Sequence, residues 1–389
     1  AVLVLAGLAA AAGAACNSLL DIDGVTFGEV PDGGTGLQGG AGLGGAGGTG
    51  GVGGTAATGG NAGAGGGTGG GAIATTYRQR ITVTAGARGA PDDYSVRLTF
   101  DHAALVAAGK SYPDGRDVRI ERGDGSSAVA LHRVLGLESS WNSATTVLWF
   151  ATQAAVAADA ADDGYFLIYG SAATSSTLAD PNQVFLFFDD FEAGGPFRWD
   201  EHGSSVWSPT SAQARSGSRS LGAGTTTQTA HWITANGVDE ANVAVDSYWY
   251  ISDLATVDMT LGVRCGSSPP IDEYELNLDQ FGAQAWFLSK SIGGVWSGIT
   301  SVLSTPAAAT WTRVGATIFA TQMRGLIDGV QVVPASGTTN MGVELSSGTV
   351  GLRVWNLPVG QLWFIDDFRA RRYVDPEPTV ATSAEEVVP

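Results

Sequence analysis

From residue 77 onward the chain is written in short runs in which apolar and polar side chains alternate, interrupted by Gly, Pro, Asp or Asn. Tyr94, Val96, Leu98 and Phe100 fall on one side of such a run, with Ser95, Arg97, Thr99 and Asp101 on the other. A period of two is that of a strand with one buried face. The runs 80–84, 118–121, 146–151 and 165–169 read the same way. Helical patterning is confined to a turn or two over 103–109, because 154–161 lacks an amphipathic stripe. From about 188 to 373 the texture repeats. Val243, Val245, Trp249 and Ile251 alternate with other residues, and Tyr274, Leu276 and Leu278 alternate with Glu275, Asn277 and Asp279. Asp328-Gly329 between two β-forming pairs is a strong hairpin signal. Many short strands with Gly-rich turns predict an all-β chain of two β-sandwich domains, over 73–187 and 188–373.

Ahead of the first strand the alternation vanishes. Gly dominates 33–72, and no charged side chain occurs between Asp32 and Arg78. Such a segment has nothing to bury and is expected to be a flexible tether, its ends roughly 35 Å apart. Gly does not recur at every third position, which excludes collagen. In the leader, Leu20-Asp21-Ile22-Asp23-Gly24 lacks the later ligands of a calcium loop and reads as spacer. At the other end, 374–389 combines prolines with acids and is expected to be a disordered tail. Phe187-Phe188-Asp189-Asp190-Phe191 and Phe364-Ile365-Asp366-Asp367-Phe368 bracket the second domain. They are placed as first and last strands of one sheet.

Residues 1–15 are uncharged and close on Gly13-Ala14-Ala15-Cys16, an apolar region followed by a small-residue cleavage site. They are expected to be a signal peptide lacking its basic n-region. The end resembles a bacterial lipobox, with Gly13 where Leu is usual. That resemblance implies a lipid on Cys16, a lipid-anchored leader over 16–32 and, because Asn17 replaces the Asp that retains lipoproteins at the inner membrane, outer-membrane, surface-exposed localisation. The segment alone is too short to span a bilayer.

With 389 residues, 44% of them hydrophobic, more than one core can be filled. A net charge of -18 disfavours nucleic acid and anionic membrane surfaces as partners. The cysteines are Cys16 and Cys265. If the first is lipidated the second has no partner, and folding rests on core burial.

Tyr77-Arg78-Gln79-Arg80-Ile81-Thr82-Val83, Asp114-Gly115-Arg116-Asp117-Val118-Arg119, Tyr165-Phe166-Leu167-Ile168-Tyr169-Gly170 and Phe188-Asp189-Asp190-Phe191-Glu192 together resemble the bacterial envelope domain of unknown function 2341, over about 77–192. Thr310-Trp311-Thr312-Arg313-Val314, Ile327-Asp328-Gly329-Val330 and Gly348-Thr349-Val350-Gly351-Leu352 make 188–373 similar to a concanavalin A-like or laminin G-like jelly roll. The leader Leu19 to Phe27 is similar to myxobacterial lipoproteins. These resemblances imply a non-catalytic lectin-like domain on a cell-surface lipoprotein, with polysaccharide or an envelope protein as partner, and bring no catalytic motif; a glycoside hydrolase of lectin-like fold and a purely structural envelope scaffold are the alternative expectations.

Candidate chemistry is sparse. Gly109-Lys110-Ser111 has Ala104 where a phosphate loop needs Gly. His102, His132, His202 and His231 lie far apart in sequence, and no Gly-x-Ser-x-Gly occurs. Glu273, Glu275 and Asp279 share one strand face, the placement glycosidase carboxyls need, but Asn277 interrupts the series and a solvated outer face is the simpler expectation. Asp189, Asp190, Asp366 and Asp367 would crowd if the terminal strands are neighbours. They are a candidate Ca²⁺ site, unless Arg369, Arg371 and Arg372 neutralise them. Among the tryptophans, Trp249, Trp311, Trp355 and Trp363 are assigned to the core. Trp207, Trp286 and Trp296, in turn-rich surroundings, are the surface candidates for stacking on sugar rings.

Overall fold

A computed structural model describes residues 73–388, apart from 124–126, 171–177, 194–197, 204–205, 225–229, 253, 255–257, 280–284 and 356–362. The expected signal segment, Cys16, the leader and the tether lie outside the described residues. No described helix is long and apolar enough to cross a membrane.

The first sandwich packs a six-stranded sheet on a three-stranded one. In the larger sheet Thr76–Thr84 lies beside Ala161–Tyr169, followed by Arg119–Arg122 and Val129–Leu131. The smaller sheet holds Ser95–Phe100, Thr146–Ala151 and Val134–Leu135. Alternation decides what is inside: Tyr94, Val96, Leu98 and Phe100 join Ile81, Val83, Tyr165 and Leu167 in one core. The single described α-helix, His102–Ala107, begins where Asp101 Oδ1 accepts from the Ala104 N–H at 2.8 Å. His102, Ser111 and Asp117 form a buried chain, with Nε2 to Oγ and Oγ to Oδ1 both at 3.0 Å, so Ser111 of the glycine-lysine-serine segment is a structural residue.

The expected disordered tail is instead two strands. Thr379–Thr382 and Glu386–Val388 pair antiparallel with the two halves of Thr76–Thr84 and extend the larger sheet at that edge. Val380 packs against the first core, and Tyr169 Oη donates to Glu385 at 2.6 Å. The pairing energy comes from an edge strand about 300 residues distant, as the 308-residue separation of the Arg78–Glu386 bond illustrates.

The second sandwich is a jelly roll of nine-stranded and seven-stranded antiparallel sheets. Phe187–Asp189 and Trp363–Arg372 are antiparallel neighbours, with Asp189 opposite Phe368. The Asp328-Gly329 turn joins Gln322–Ile327 to Val330–Val333, both turn residues having positive φ (51° and 78°) as the tight hairpin requires. The seven-stranded sheet runs Val295–Leu303, Ala285–Ile292, Glu273–Asp279, Asp258–Cys265, Thr349–Val354, His231–Ala235, Trp199–His202. Tyr274, Leu276, Leu278, Trp286 and Leu288 point inward from it, and Trp286 meets Trp249 of the opposite sheet at 6.1 Å.

Candidate functional site: the outward face of the seven-stranded sheet

Strand parity puts the alternate residues on the face pointing away from the core. Register then sets them in rows. One row is Thr234, Gly351, Gly262, Glu275, Ser289 and Gly298, and the next is Trp232, Arg353, Thr260, Asn277 and Phe287. Glu273 and Trp296 follow in a third, each opposite Ser291. A bulge at Arg264 (φ 51°) also brings Cys265 to this side, its Sγ 3.6 Å from Glu273 Oε2.

The acids here are not the solvated outer face that alternation alone suggests. Glu273 and Glu275 are fully buried. Arg353 lies between them, 3.7 Å from Glu273 Oε1 and 3.4 Å from Glu275 Oε2. Its guanidinium also donates to Thr260 Oγ1 at 2.8 Å. Asn277 Nδ2 donates to Thr260 Oγ1 and to Asp258 Oδ1, both at 2.9 Å. Two indoles close over the carboxylates: Trp232 Nε1 donates to Glu273 at 2.9 Å and Trp296 Nε1 to Glu275 at 3.0 Å. The glycines make this possible. A Cβ at Gly262 would strike the Glu273 carboxylate, and one at Gly298 would press on the Trp296 ring at 3.0 Å.

Burial and the neighbouring Glu275 push Glu273 up to about 8, although Arg353 and the Trp232 bond pull the other way. Burial likewise lifts Asp258 to about 6 against the pull of Arg353. Arg353 is itself held more firmly charged, since its carboxylate neighbours outweigh the burial that opposes charge. Two acceptors are left over. Glu275 Oε1 and Asn277 Oδ1 are buried with no hydrogen-bond partner, a condition that costs about 1–3 kcal/mol per group unless a donor arrives.

The tryptophans divide differently from the expectation. Trp207 and Trp286, predicted at the surface, are buried in the jelly-roll core. Trp286 sits in the inward register of its strand, beside Leu288, and Trp207 begins the short strand Trp207–Thr210 with its ring inward. Trp296 is 43% exposed and Trp355, assigned to the core, is 38% exposed. Trp249 and Trp363 are buried, and Trp311 is half-buried. Trp355 follows the Arg353 strand and is anchored by its N–H to the Asp258 carbonyl at 3.0 Å. Counting strands, it lies four spacings from Trp296, about 19 Å across the sheet, and, level with Asp279 where Trp296 is level with Glu273, about 20 Å along it.

The four aspartates do not form an ion cage. Asp367 (φ 51°) is the extra residue of a bulge, so Asp366 and Asp367 both face the turn at Arg215. Asp366 accepts from the N–H groups of Arg215 (2.8 Å) and Ser216 (3.2 Å), and Asp367 pairs with the Arg215 guanidinium at 2.7 Å. Asp189 accepts instead from the Phe191 N–H and Trp199 Nε1, both at 2.8 Å, and Asp190 from the Glu192 N–H at 3.3 Å. No group of three or more His, Cys, Asp or Glu among the described residues could hold a metal ion. The arginines expected to neutralise the aspartates serve elsewhere: Arg369 bonds Asp246 at 2.9 Å, Arg371 bonds Glu377 at 2.7 Å and Arg372 bonds Glu240 at 3.1 Å.

Sequence reasoning missed Arg353, Trp232, Asp258 and Thr260. The available signal was parity: Arg353 is a lone cation in Val350-Gly351-Leu352-Arg353-Val354, opposite in phase to three apolar residues.

No family model matches the chain, and no curated protein does. The likeness of 77–192 to the domain of unknown function 2341 therefore stays a resemblance. Among solved structures, the carbohydrate-binding module CBM66 from Bacillus subtilis is 15% identical, covering 45% of this chain and 95% of its own, with a TM-score of 0.36. The Bacillus licheniformis β-glucanase is 10% identical over 48% of this chain and 98% of its own, TM-score 0.36. A Bacillus subtilis protein of unknown function with a galectin-like fold is 10% identical over 48% and 96%, TM-score 0.37. These likenesses are distant, and the jelly-roll assignment stands on the order and register of the two sheets.

Proposed function

We propose that the jelly roll is a non-catalytic glycan-binding domain, displayed on a bacterial outer membrane by a lipid on Cys16. The observation that carries the binding reading is the outward sheet face, which presents two exposed indoles, Trp296 and Trp355. Indole faces stack on the apolar faces of sugar rings. The spacing of the indoles suits an extended saccharide rather than a single ring. Affinity in the micromolar to millimolar range, about 4–8 kcal/mol, is expected.

A glycan array followed by titration of Trp296→Ala and Trp355→Ala tests this. Each variant should weaken binding by about tenfold or less, the usual range for one aromatic contact. Absence of binding across neutral and acidic glycans would reject the reading. The display half is tested by Cys16→Ala, which should release the protein from membranes on fractionation; continued membrane association would reject the anchor.

One observation favours a second reading, glycoside hydrolysis. Glu273 is held protonated beside a second carboxyl two residues along the strand, a pairing that suits acid catalysis. Both carboxyls are closed off beneath Trp232 and Trp296, and the third alternating position is Asn277. Release of reducing ends from a polysaccharide, lost in both Glu273→Gln and Glu275→Gln, would establish it over simple binding.

A further inference from the structure

A second concavity lies where the two sandwiches meet. It encloses about 550 Å³, a size ordinary for small-ligand sites. Its walls are held from both sides. In the first sandwich Ala90 and Val156 exchange N–H···O bonds of 2.8 and 2.9 Å. Gly89 turns the chain there with φ 70°, and a Cβ at that position would meet the Val156 carbonyl. From the jelly roll, Arg372 donates to Glu240 at 3.1 Å and to the Asp92 carbonyl at 3.1 Å, which spans the junction. Asn242 is fixed by accepting at Oδ1 from the Ala320 N–H at 2.7 Å.

Against these satisfied groups Arg88 stands out. Its side chain is exposed, and its guanidinium lies over the Phe319 ring, 5.1 Å from the centroid. Alone among the described arginines it has neither a carboxylate within ion-pair distance nor a hydrogen-bond partner among the described residues. That is unexpected in a chain with 38 acids and 20 bases, where carboxylates are in excess. Stacking occupies the face of the guanidinium and leaves its edge N–H groups directed outward in a fixed fork. A fork of that shape matches a carboxylate, bonded by two parallel N–H···O contacts. Phe319 supplies the rigid rest, Val156 and Pro91 an apolar wall, and Asn242 Nδ2 a further donor with no partner among the described residues.

We propose that this cleft binds a small organic carboxylate, a uronic-acid sugar being the type of ligand it fits, with Arg88 as the carboxylate fork and Phe319 as its platform. The net charge of -18 repels anions at a distance, so the contact is short-ranged and the affinity millimolar. The site is separate from the outward face of the seven-stranded sheet and does not depend on what that face binds.

The test is calorimetric titration of the whole protein at low ionic strength with glucuronate, glucose and inorganic phosphate in turn. Glucuronate should bind, and glucose and phosphate should bind at least tenfold more weakly. Arg88→Ala should lower glucuronate affinity on the order of tenfold, and Arg88→Lys should restore part of it, since charge returns without the fork. Because Arg88 touches only one ring, the melting temperature of Arg88→Ala should match the parent, which separates lost binding from lost folding. Arg116→Ala, at an exposed arginine outside both the cleft and the sheet face, should leave glucuronate affinity unchanged. The proposal is overturned if glucuronate does not bind, if phosphate or glucose binds as tightly, if Arg88→Ala titrates like the parent, or if Arg116→Ala lowers the affinity as much as Arg88→Ala does.

Discussion

Two groups of buried acids sit in the jelly roll, and they are solved in opposite ways. At Asp366 and Asp367, backbone N–H groups of Arg215 and Ser216, the Ser216 hydroxyl and the Arg215 guanidinium give every carboxylate a donor. At Glu273 and Glu275, one arginine serves three carboxylates, two indoles cap the set, and acceptors on Glu275 and Asn277 remain without donors. Crowded acids in a sequence therefore do not by themselves point to an ion or a ligand. What separates a structural cluster from a candidate site is whether its acceptors are saturated.

The largest expected effect is that of Arg353→Met. It leaves Glu275 and Asp258 buried without a counter-charge, and the cost should be about 3–5 kcal/mol, read as a drop in melting temperature on the order of 10 °C. Arg215→Met should cost about half as much, because the backbone donors to Asp366 survive. An Arg215 loss equal to that of Arg353 would erase the distinction between the clusters.

Alkaline titration sharpens it. Glu273, raised to about 8, and Asp366, raised to about 7 by burial and by the Asp367 charge, both prefer to be protonated in the folded state. Their contribution is complete below about pH 4 and is lost as pH climbs through the folded values. Stability should therefore decline between about pH 5 and 8.5. Glu273→Gln should flatten more of that decline than Asp366→Asn, gaining at least about 1 kcal/mol over the parent at pH 8.5 while being near-neutral at pH 5. A Glu273→Gln variant that parallels the parent across this window would show that the carboxyl titrates normally. The smallest effect is the expected absence of one: chelator or added Ca²⁺ should leave the melting temperature unchanged, since the aspartates already have protein donors.

What the sequence disclosed follows physical range. Alternation located the strands of both sandwiches, the Asp328-Gly329 turn marked a hairpin, and the repeated Phe-x-Asp-Asp-Phe segments marked two strands that do pair. Face assignment failed where turn proximity was weighed above parity. Trp286 shares the inward phase of Leu288, and that phase, not the nearby glycines, decides its fate. Trp355, two residues past Arg353, continues the outward phase of Gly351 and Arg353, and parity again decides its exposure. Arg215 could not be found from the aspartates because the two lie about 150 residues apart, as the 152-residue separation of the Arg215–Asp367 bond shows. The tail failed for the same reason, its pairing partner being the first strand of the body.

That return of residues 379–388 to the strand at 76–84 also sets a schedule. A chain made from its N-terminal end can assemble the jelly roll as soon as Arg372 is available, but the first sandwich must wait with an open edge until residues 379–388 emerge. Of the two sandwiches, the one that comes first in sequence is thus finished last, and during that interval its uncovered strand offers an open pairing edge to other chains.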